Sequence, residues 1–282
     1  MEGYILGISC GYHDSAAVLI KDGEVLGACE EERFTGIKHD SSFPVNTINW
    51  LYKEFKISGL DIKKVAFYDN PKSKLDRIKK SLKRGPITEL FNRNRILKRN
   101  KLKFEKFEKQ IGGITNPNIE IYYCDHHLSH AAYSFYTSPY DKASILSVDG
   151  VGEWETTTLY YGEKNIISKI QSINFPHSLG MLYSTFTAFL GFKPNEGEYK
   201  VMGLAPYGNP KRFLNKFRKL YNLTDDGGFE LNMEYFTFDW SDTHMFNEKL
   251  GKLLGIPNRL PEDNLNQPHK DLAATLQHEY EF

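Results

Sequence analysis

The chain has 282 residues, with 36 Lys+Arg balanced by 36 Asp+Glu, so its formal charge is zero. That balance argues against a whole-chain nucleic-acid binder, which is basic overall. With 40% hydrophobic and 26% charged residues the chain is not disordered, and its length suits one large domain or two smaller ones.

Residues 4–9 form a short apolar run that ends in the polar turn Gly11-Tyr12-His13-Asp14. Residues 15–21 and 24–31 are two further strand-like runs, joined by the hairpin signal Asp22-Gly23. The second of these ends in the acids Glu30-Glu31-Glu32, read as a surface ion network of little energetic weight. Pro44 marks a helix start, and Val45, Ile48, Leu51, Tyr52 and Phe55 follow at helical spacing. Val65–Tyr68 reads as a fourth strand. Residues 72–109 hold 15 Lys/Arg against 4 Asp/Glu, a local charge of +11 that the remaining residues cancel. The favoured reading is a solvated helical excursion pinned by Leu75, Ile78, Leu82, Phe104 and Phe107. The alternative is a phosphate-facing patch.

A second strand pattern begins near residue 143, with runs at 143–148, 155–161 and 166–173 and a helix from about 178 to 190. Strand, polar turn, strand, hairpin, strand and helix therefore occur twice, about 140 residues apart, as a repeat of pattern rather than of sequence. Duplicated βββα lobes suggest the actin-like ATPase (ribonuclease H-like) α/β architecture. The expected first lobe is 1–141, and the expected second lobe, 142–282, is incomplete. Exposed Gly-rich turns at the strand ends then offer N–H groups to a phosphorylated ligand. Residues 196–208, mixing charge, Gly and Pro, read as a loop lining a cleft.

Asp125-His126-His127-Leu128-Ser129-His130 is the most specific constellation. On a helix capped by Asp125, His126 and His130 share one face, a spacing that grips a divalent metal, while His127 points elsewhere. Two histidines on a partly exposed helix face are the plainer alternative. Asp149, at the end of the next strand, is a candidate third ligand. His13 is poised for proton transfer near neutral pH, or is simply a satisfied turn histidine. Gly150 and Gly152 allow close backbone approach to a ligand. Three widely spaced cysteines, no leader-like opening and no apolar run near the ~20 residues of a bilayer span predict a cytoplasmic protein.

Five segments together resemble the NodU/CmcH carbamoyltransferase family: GYHDSAAVLIKDG, EERFTGIKHDSSFP, DHHLSHAAYSFYTSP, SVDGVGEWETT and GEYKVMGLAPYG. The resemblance implies an actin-like domain that passes a carbamoyl group from carbamoyl-adenylate, made from ATP and carbamoyl phosphate, to a hydroxyl acceptor. It implies His126, His130 and Asp149 as ligands of an iron(II)-type metal, and His13 and Lys38 at the transfer site. Glu153 and Lys200, with Gly150 and Gly152, fall on the nucleotide side. Two departures stand out: Gly36-Ile37 replaces a commonly basic pair, and the family continues beyond Phe282 into a further nucleotide loop and a YrdC-like domain. The sequence therefore reads as the N-terminal part of such an enzyme. The alternative is a non-catalytic metal- or nucleotide-binding module completed by a partner chain. An actin-like kinase reading is weaker because it leaves the HxxxH pair unexplained.

Overall fold

The computed structural model describes residues 3–86 and 90–281, with side chains of 90–93 not described; part of the basic stretch, 87–89, lies outside these residues. The chain divides into two units, residues 1–78 with 90–130 and residues 79–89 with 131–282.

The first unit is built on a five-stranded mixed sheet. Strands β1 (Tyr4–Ser9), β2 (Ala16–Lys21) and β3 (Glu24–Glu30) form an antiparallel meander. A short helix, α1 (Glu32–Thr35), and then α2 (Val45–Glu54) follow. β4 (Ile62–Phe67) returns parallel to β1. The basic stretch becomes two helices, α3 (Pro71–Leu82) and α4 (Leu90–Ile114), and β5 (Ile121–Tyr123) adds parallel to β4, giving the order β3-β2-β1-β4-β5. The Asp22-Gly23 turn closes β2 and β3 with both residues at positive φ, as a two-residue hairpin of this twist requires. Leu6, Ile8, Leu19, Val65 and Phe67 of the sheet meet Ile48 and Leu51 of α2 and Phe107 and Ile111 of α4 in one core. Of the apolar residues in the basic stretch, Leu82 and Phe107 are buried and Leu75, Ile78 and Phe104 half-buried, so the excursion is helical and pinned along one face.

Glu31 departs from the surface network expected of the three acids. It is 1% exposed. Its carboxylate accepts hydrogen bonds from the Asn46 and Thr47 amides at 3.0 and 2.9 Å, and from Asn46 Nδ2 and Thr47 Oγ1 at 2.7 and 2.8 Å. α2 has Pro44 at its N-cap, and proline has no side-chain acceptor to offer. A carboxylate fifteen residues upstream therefore does the capping, with the helix dipole in its favour.

After α5 (His126–Tyr136), the second unit carries the antiparallel sheet β6 (Lys142–Val148), β7 (Glu155–Glu163) and β8 (Ile166–Asn174). Helices α6 (Leu179–Phe189), α7 (Glu198–Leu204) and α8 (Leu214–Phe217) follow, then the ribbon β9 (Tyr221–Leu223) with β10 (Phe229–Leu231). α9 (Glu248–Leu254) and α10 (Gln267–Glu281) complete it. Phe186, Phe189, Phe217, Leu250, Leu272 and Leu276 form its core. Segment 196–208 is not the loop expected from its composition: it is α7 followed by a 3-10 turn, Ala205–Tyr207. Glu198 explains the helix, since its carboxylate accepts from the Asn195 and Gly197 amides at 3.0 and 3.2 Å while Val201 and Leu204 bury one face. Gly208 then passes so close to α10 that a Cβ would stand 2.0 Å from the Lys270 carbonyl oxygen. No helix of the described residues is long and apolar enough to cross a membrane, and all three cysteines are free thiols.

The antiparallel meander followed by a helix thus occurs in both units, within a mixed α/β fold. Glu31→Ala leaves the Asn46 amide and side-chain amide, and the buried Thr47 amide and hydroxyl, without their acceptor. It is expected to lower stability by about 2–3 kcal/mol, and to speed hydrogen exchange of the Asn46 and Thr47 amides first. Unchanged exchange at these two amides means that the cap does not hold α2.

Candidate functional site

The β1–β2 turn carries the first group of chemistry. Gly11, at φ +90°, and Asp14, at φ +46°, bend the chain. The segment after α1 is then docked on the turn by backbone bonds, Gly11 N–H to the Ser41 carbonyl at 2.9 Å and Ser15 N–H to the Asp40 carbonyl at 2.8 Å. Asp40 is buried and accepts from Thr35 Oγ1 and the Ser42 amide, both at 2.8 Å. Hydrogen bonds from Ser42 and Thr35 hold its carboxyl below the usual range.

This docking brings His39 to the turn. Asp14 bridges two imidazoles, with Oδ2 2.7 Å from His13 Nδ1 and Oδ1 2.9 Å from His39 Nδ1. Burial pushes the Asp14 carboxyl up, but the hydrogen bonds and charges of His39 and His13 outweigh it and hold the group below its ordinary value. An ionised carboxylate only accepts, so each ring donates from Nδ1 and presents Nε2 as a proton acceptor. A histidine oriented by a carboxylate in this way is equipped for general-base work. The sequence singled out His13 but missed Asp14 and His39. Only their spacing around the turn gives them away, and that spacing depends on how 37–42 folds back. Lys38, also singled out, is exposed on the same returning segment. The Tyr12 ring lies 4.7 Å from that of His13.

The second group sits at the start of α5. The Asp125 carbonyl accepts from the Ser129 amide at 2.9 Å, opening the helix as expected of a cap position. One turn apart, His126 and His130 converge with Nε2 atoms 3.1 Å apart and rings nearly perpendicular at 83°. Two nitrogens each about 2.1 Å from one cation at a ligand angle of 90–110° are separated by about 3.0–3.4 Å. The pair therefore fits a divalent cation. His127 points to the interior and is 1% exposed, as its helix position predicts. Tyr68, at the end of β4, stands 5.4 Å from the His126 ring.

In the second unit Asp149 follows β6. Its amide donates to the Thr156 carbonyl at 2.9 Å, and its Oδ1 accepts from the Gly150 amide. Ser178, the N-cap of α6, donates through Oγ to the Asp149 and Gly150 carbonyls and accepts from the Met181 amide at 3.0 Å. The tight glycine here is Gly180 rather than Gly150. A Cβ on Gly180 would stand 2.7 Å from the Asp149 carbonyl oxygen, whereas one on Gly150 meets nothing closer than 3.8 Å. The sequence did not single out Gly180, because its constraint comes from a turn thirty residues earlier. Gly152 and Glu153 are buried in the same turn, Glu153 at 3% exposure. Lys200 is exposed on α7, its ammonium about 6 Å from the Phe192 and Tyr199 rings.

Residues 4–281 match the family described as carbamoyltransferase N-terminus. The chain belongs to this family. An uncharacterized protein of Synechocystis sp. is 43% identical over 97% of this chain and 46% of its own length. The nodulation protein NolNO of Sinorhizobium fredii is 31% identical over 94% of this chain and 36% of its own length. The chain thus spans less than half the length of these curated relatives. Among solved structures, the PPX-GPPA enzyme of Aquifex aeolicus aligns over 72% of this chain and 62% of that one at 13% identity, with a TM-score of 0.33. That likeness is too weak to carry an argument.

Replacing Asp14 by Asn removes the charge that fixes both rings. In ring-nitrogen NMR of Asp14→Asn, His13 is expected to pass from a single Nδ1–H tautomer to a mixture, with the backbone spectrum otherwise preserved. An unchanged tautomer excludes the orienting role. The Asp14 contribution has the sign of a depressed carboxyl: present above the unfolded value and lost as pH falls through the lower folded one. The His13 contact is therefore expected to persist through the mildly acidic range.

Proposed function

We propose that this chain is the acceptor-activating part of an O-carbamoyltransferase of actin-like architecture. Membership of the carbamoyltransferase family gives the reaction class, and the observation that carries the mechanism is His13 held by Asp14 on the β1–β2 turn. The carbamoyl donor is carbamoyl-adenylate, formed from ATP and carbamoyl phosphate. His13 Nε2 accepts the proton of an acceptor hydroxyl as its oxygen attacks the carbamoyl carbon. The new C–O bond forms, the bond from that carbon to the phosphate oxygen breaks, and AMP leaves with the electron pair. Lys38 offsets charge on the carbonyl oxygen or the leaving phosphate. Asp14 keeps the His13 tautomer correct and stabilises the imidazolium that results.

His126, His130 and Asp149 are the residues we assign to a divalent cation of iron(II) type. When bound, that cation supplies positive charge for the nucleotide phosphates. The imidazole–carboxylate donor set suits such ions, and the 3.1 Å approach of the two Nε2 atoms supports the assignment. Gly150, Gly152, Glu153 and Lys200 belong to the nucleotide side in this reading. A cytoplasmic setting belongs to the same reading.

Two measurements separate the parts. Metal analysis of the protein is expected to find about one divalent ion per chain, lost in the double variant His126→Ala/His130→Ala. Equal content in both removes the site. Transfer from supplied carbamoyl-adenylate to a hydroxyl acceptor, read as carbamoylated product, is expected to fall about 10²–10⁴-fold in His13→Ala with metal content unchanged. Wild-type transfer by that variant sinks the general-base role.

A further inference from the structure

The basic stretch has a second aspect that its solvated character hides. In the first unit α4 and the start of α3 cover a cavity of about 340 Å³, within the size range of small-molecule sites. Its wall includes Gly11 and Tyr12 of the turn that carries His13, together with Ser41 and Ser42 of the segment docked there. Phe43, Phe67, Phe104 and Phe107 contribute an aromatic surface, with the Phe67 and Phe107 rings 4.2 Å apart. Lys74, Lys103 and Lys106 also line it, and so does Asp69.

Asp69 is the telling residue. It is 2% exposed. One carboxylate oxygen pairs with the Lys74 ammonium, while Oδ1 has no hydrogen-bond partner among the described residues. A buried carboxylate oxygen left without a donor is costly and calls for a ligand or water that supplies one. Lys103 shows the opposite deficit. Its ammonium meets only the Gly11 carbonyl, at 3.2 Å, among its hydrogen bonds here. Partial desolvation, with Arg99 and Lys74 nearby, pulls it below the usual lysine range. An anion beside Lys103 relieves that repulsion. Cys10 also lines the cavity, but burial pushes its thiol up to about 12, so it is inert wall rather than nucleophile.

We infer that this cavity binds the carbamoyl acceptor, and that the acceptor is a polyhydroxylated compound bearing an anionic group. A hydroxyl donates to Asp69 Oδ1, the apolar face of the ring or chain lies on the phenylalanines, and a phosphate or carboxylate takes the lysine rim. The acceptor role rests on the carbamoyltransferase reading above. The binding chemistry does not.

The test is binding alone, by isothermal titration and amide-shift mapping of the protein. The probes are glucose 6-phosphate, N-acetylglucosamine 6-phosphate and glucuronate, with glucose and inorganic phosphate as partial ligands. At least one anionic sugar is expected to bind, shifting Gly11, Tyr12 and Lys103 amides, and to bind tenfold or more tightly than glucose or phosphate. Lys103→Gln and Asp69→Asn are each expected to weaken it at least tenfold. These binding measurements need no carbamoyl donor and no transfer, so a failure of the transfer mechanism is distinguishable from a failure of the cavity. The inference is overturned if none of the three sugars binds, if phosphate alone binds as well, or if Lys103→Gln binds like wild type. Lys103 is on the exposed side of a helix, so that variant stays informative even if Asp69→Asn fails to fold.

Discussion

Two backbone hydrogen bonds, Gly11 to Ser41 and Ser15 to Asp40, govern the chemistry of the first unit. They tie the segment after α1 to the β1–β2 turn. Without them His39 has no reason to be near His13, and Ser41 and Ser42 no reason to wall the cavity. Each side of the contact is itself braced. Asp40 is fixed by Thr35 and Ser42, and Glu31, one residue past β3, fixes the start of α2 just beyond the segment. The segment is therefore clamped at both ends, by acids with different partners. Three consecutive acids end up with three jobs: Glu30 pairs with Arg33 on the surface, Glu31 caps a helix, and Glu32 accepts from the His39 amide at 3.0 Å.

What the sequence made legible follows from the range of the forces involved. Both antiparallel meanders, the Asp22-Gly23 hairpin and the helical face shared by His126 and His130 depend on neighbours within a few residues, and alternation or spacing records them directly. Segment 196–208 misled because composition outweighed the cap: Gly and Pro suggested a loop, while Glu198 satisfying the Asn195 and Gly197 amides made a helix. The Glu31 cap, the Asp14 bridge and the Gly180 approach to Asp149 join residues fifteen, twenty-five and about thirty positions apart. No local pattern reports such pairs. The cavity was invisible for the same reason, being assembled from four separate stretches of the chain.

The two candidate groups differ in how rigidly they are made. The His126–His130 pair needs only an intact helical turn, a unit that forms cooperatively and tolerates changes elsewhere. The His13–Asp14–His39 group needs a turn with positive φ at Gly11, Asp14 and His39 as well as a returning segment. Non-glycine residues in that region carry strain that surrounding contacts must hold. The strain falls where proton chemistry is proposed, which is the usual place for a fold to concentrate it.

The surplus of lysine and arginine along α3 and α4 bears on time rather than on strength. Few of these side chains line the cavity, so most contribute no contact to a bound molecule. Their summed field nonetheless extends about 8–10 Å into solution at moderate salt and draws anions toward the surface before any contact is made. In that reading the many basic residues off the cavity wall set how often an anionic molecule arrives, while Asp69, Lys103 and the phenylalanines set how long it stays. Added salt slows arrival far more than it hastens departure, so encounter rate and residence time are governed by different residues of the same two helices and the sheet beneath them.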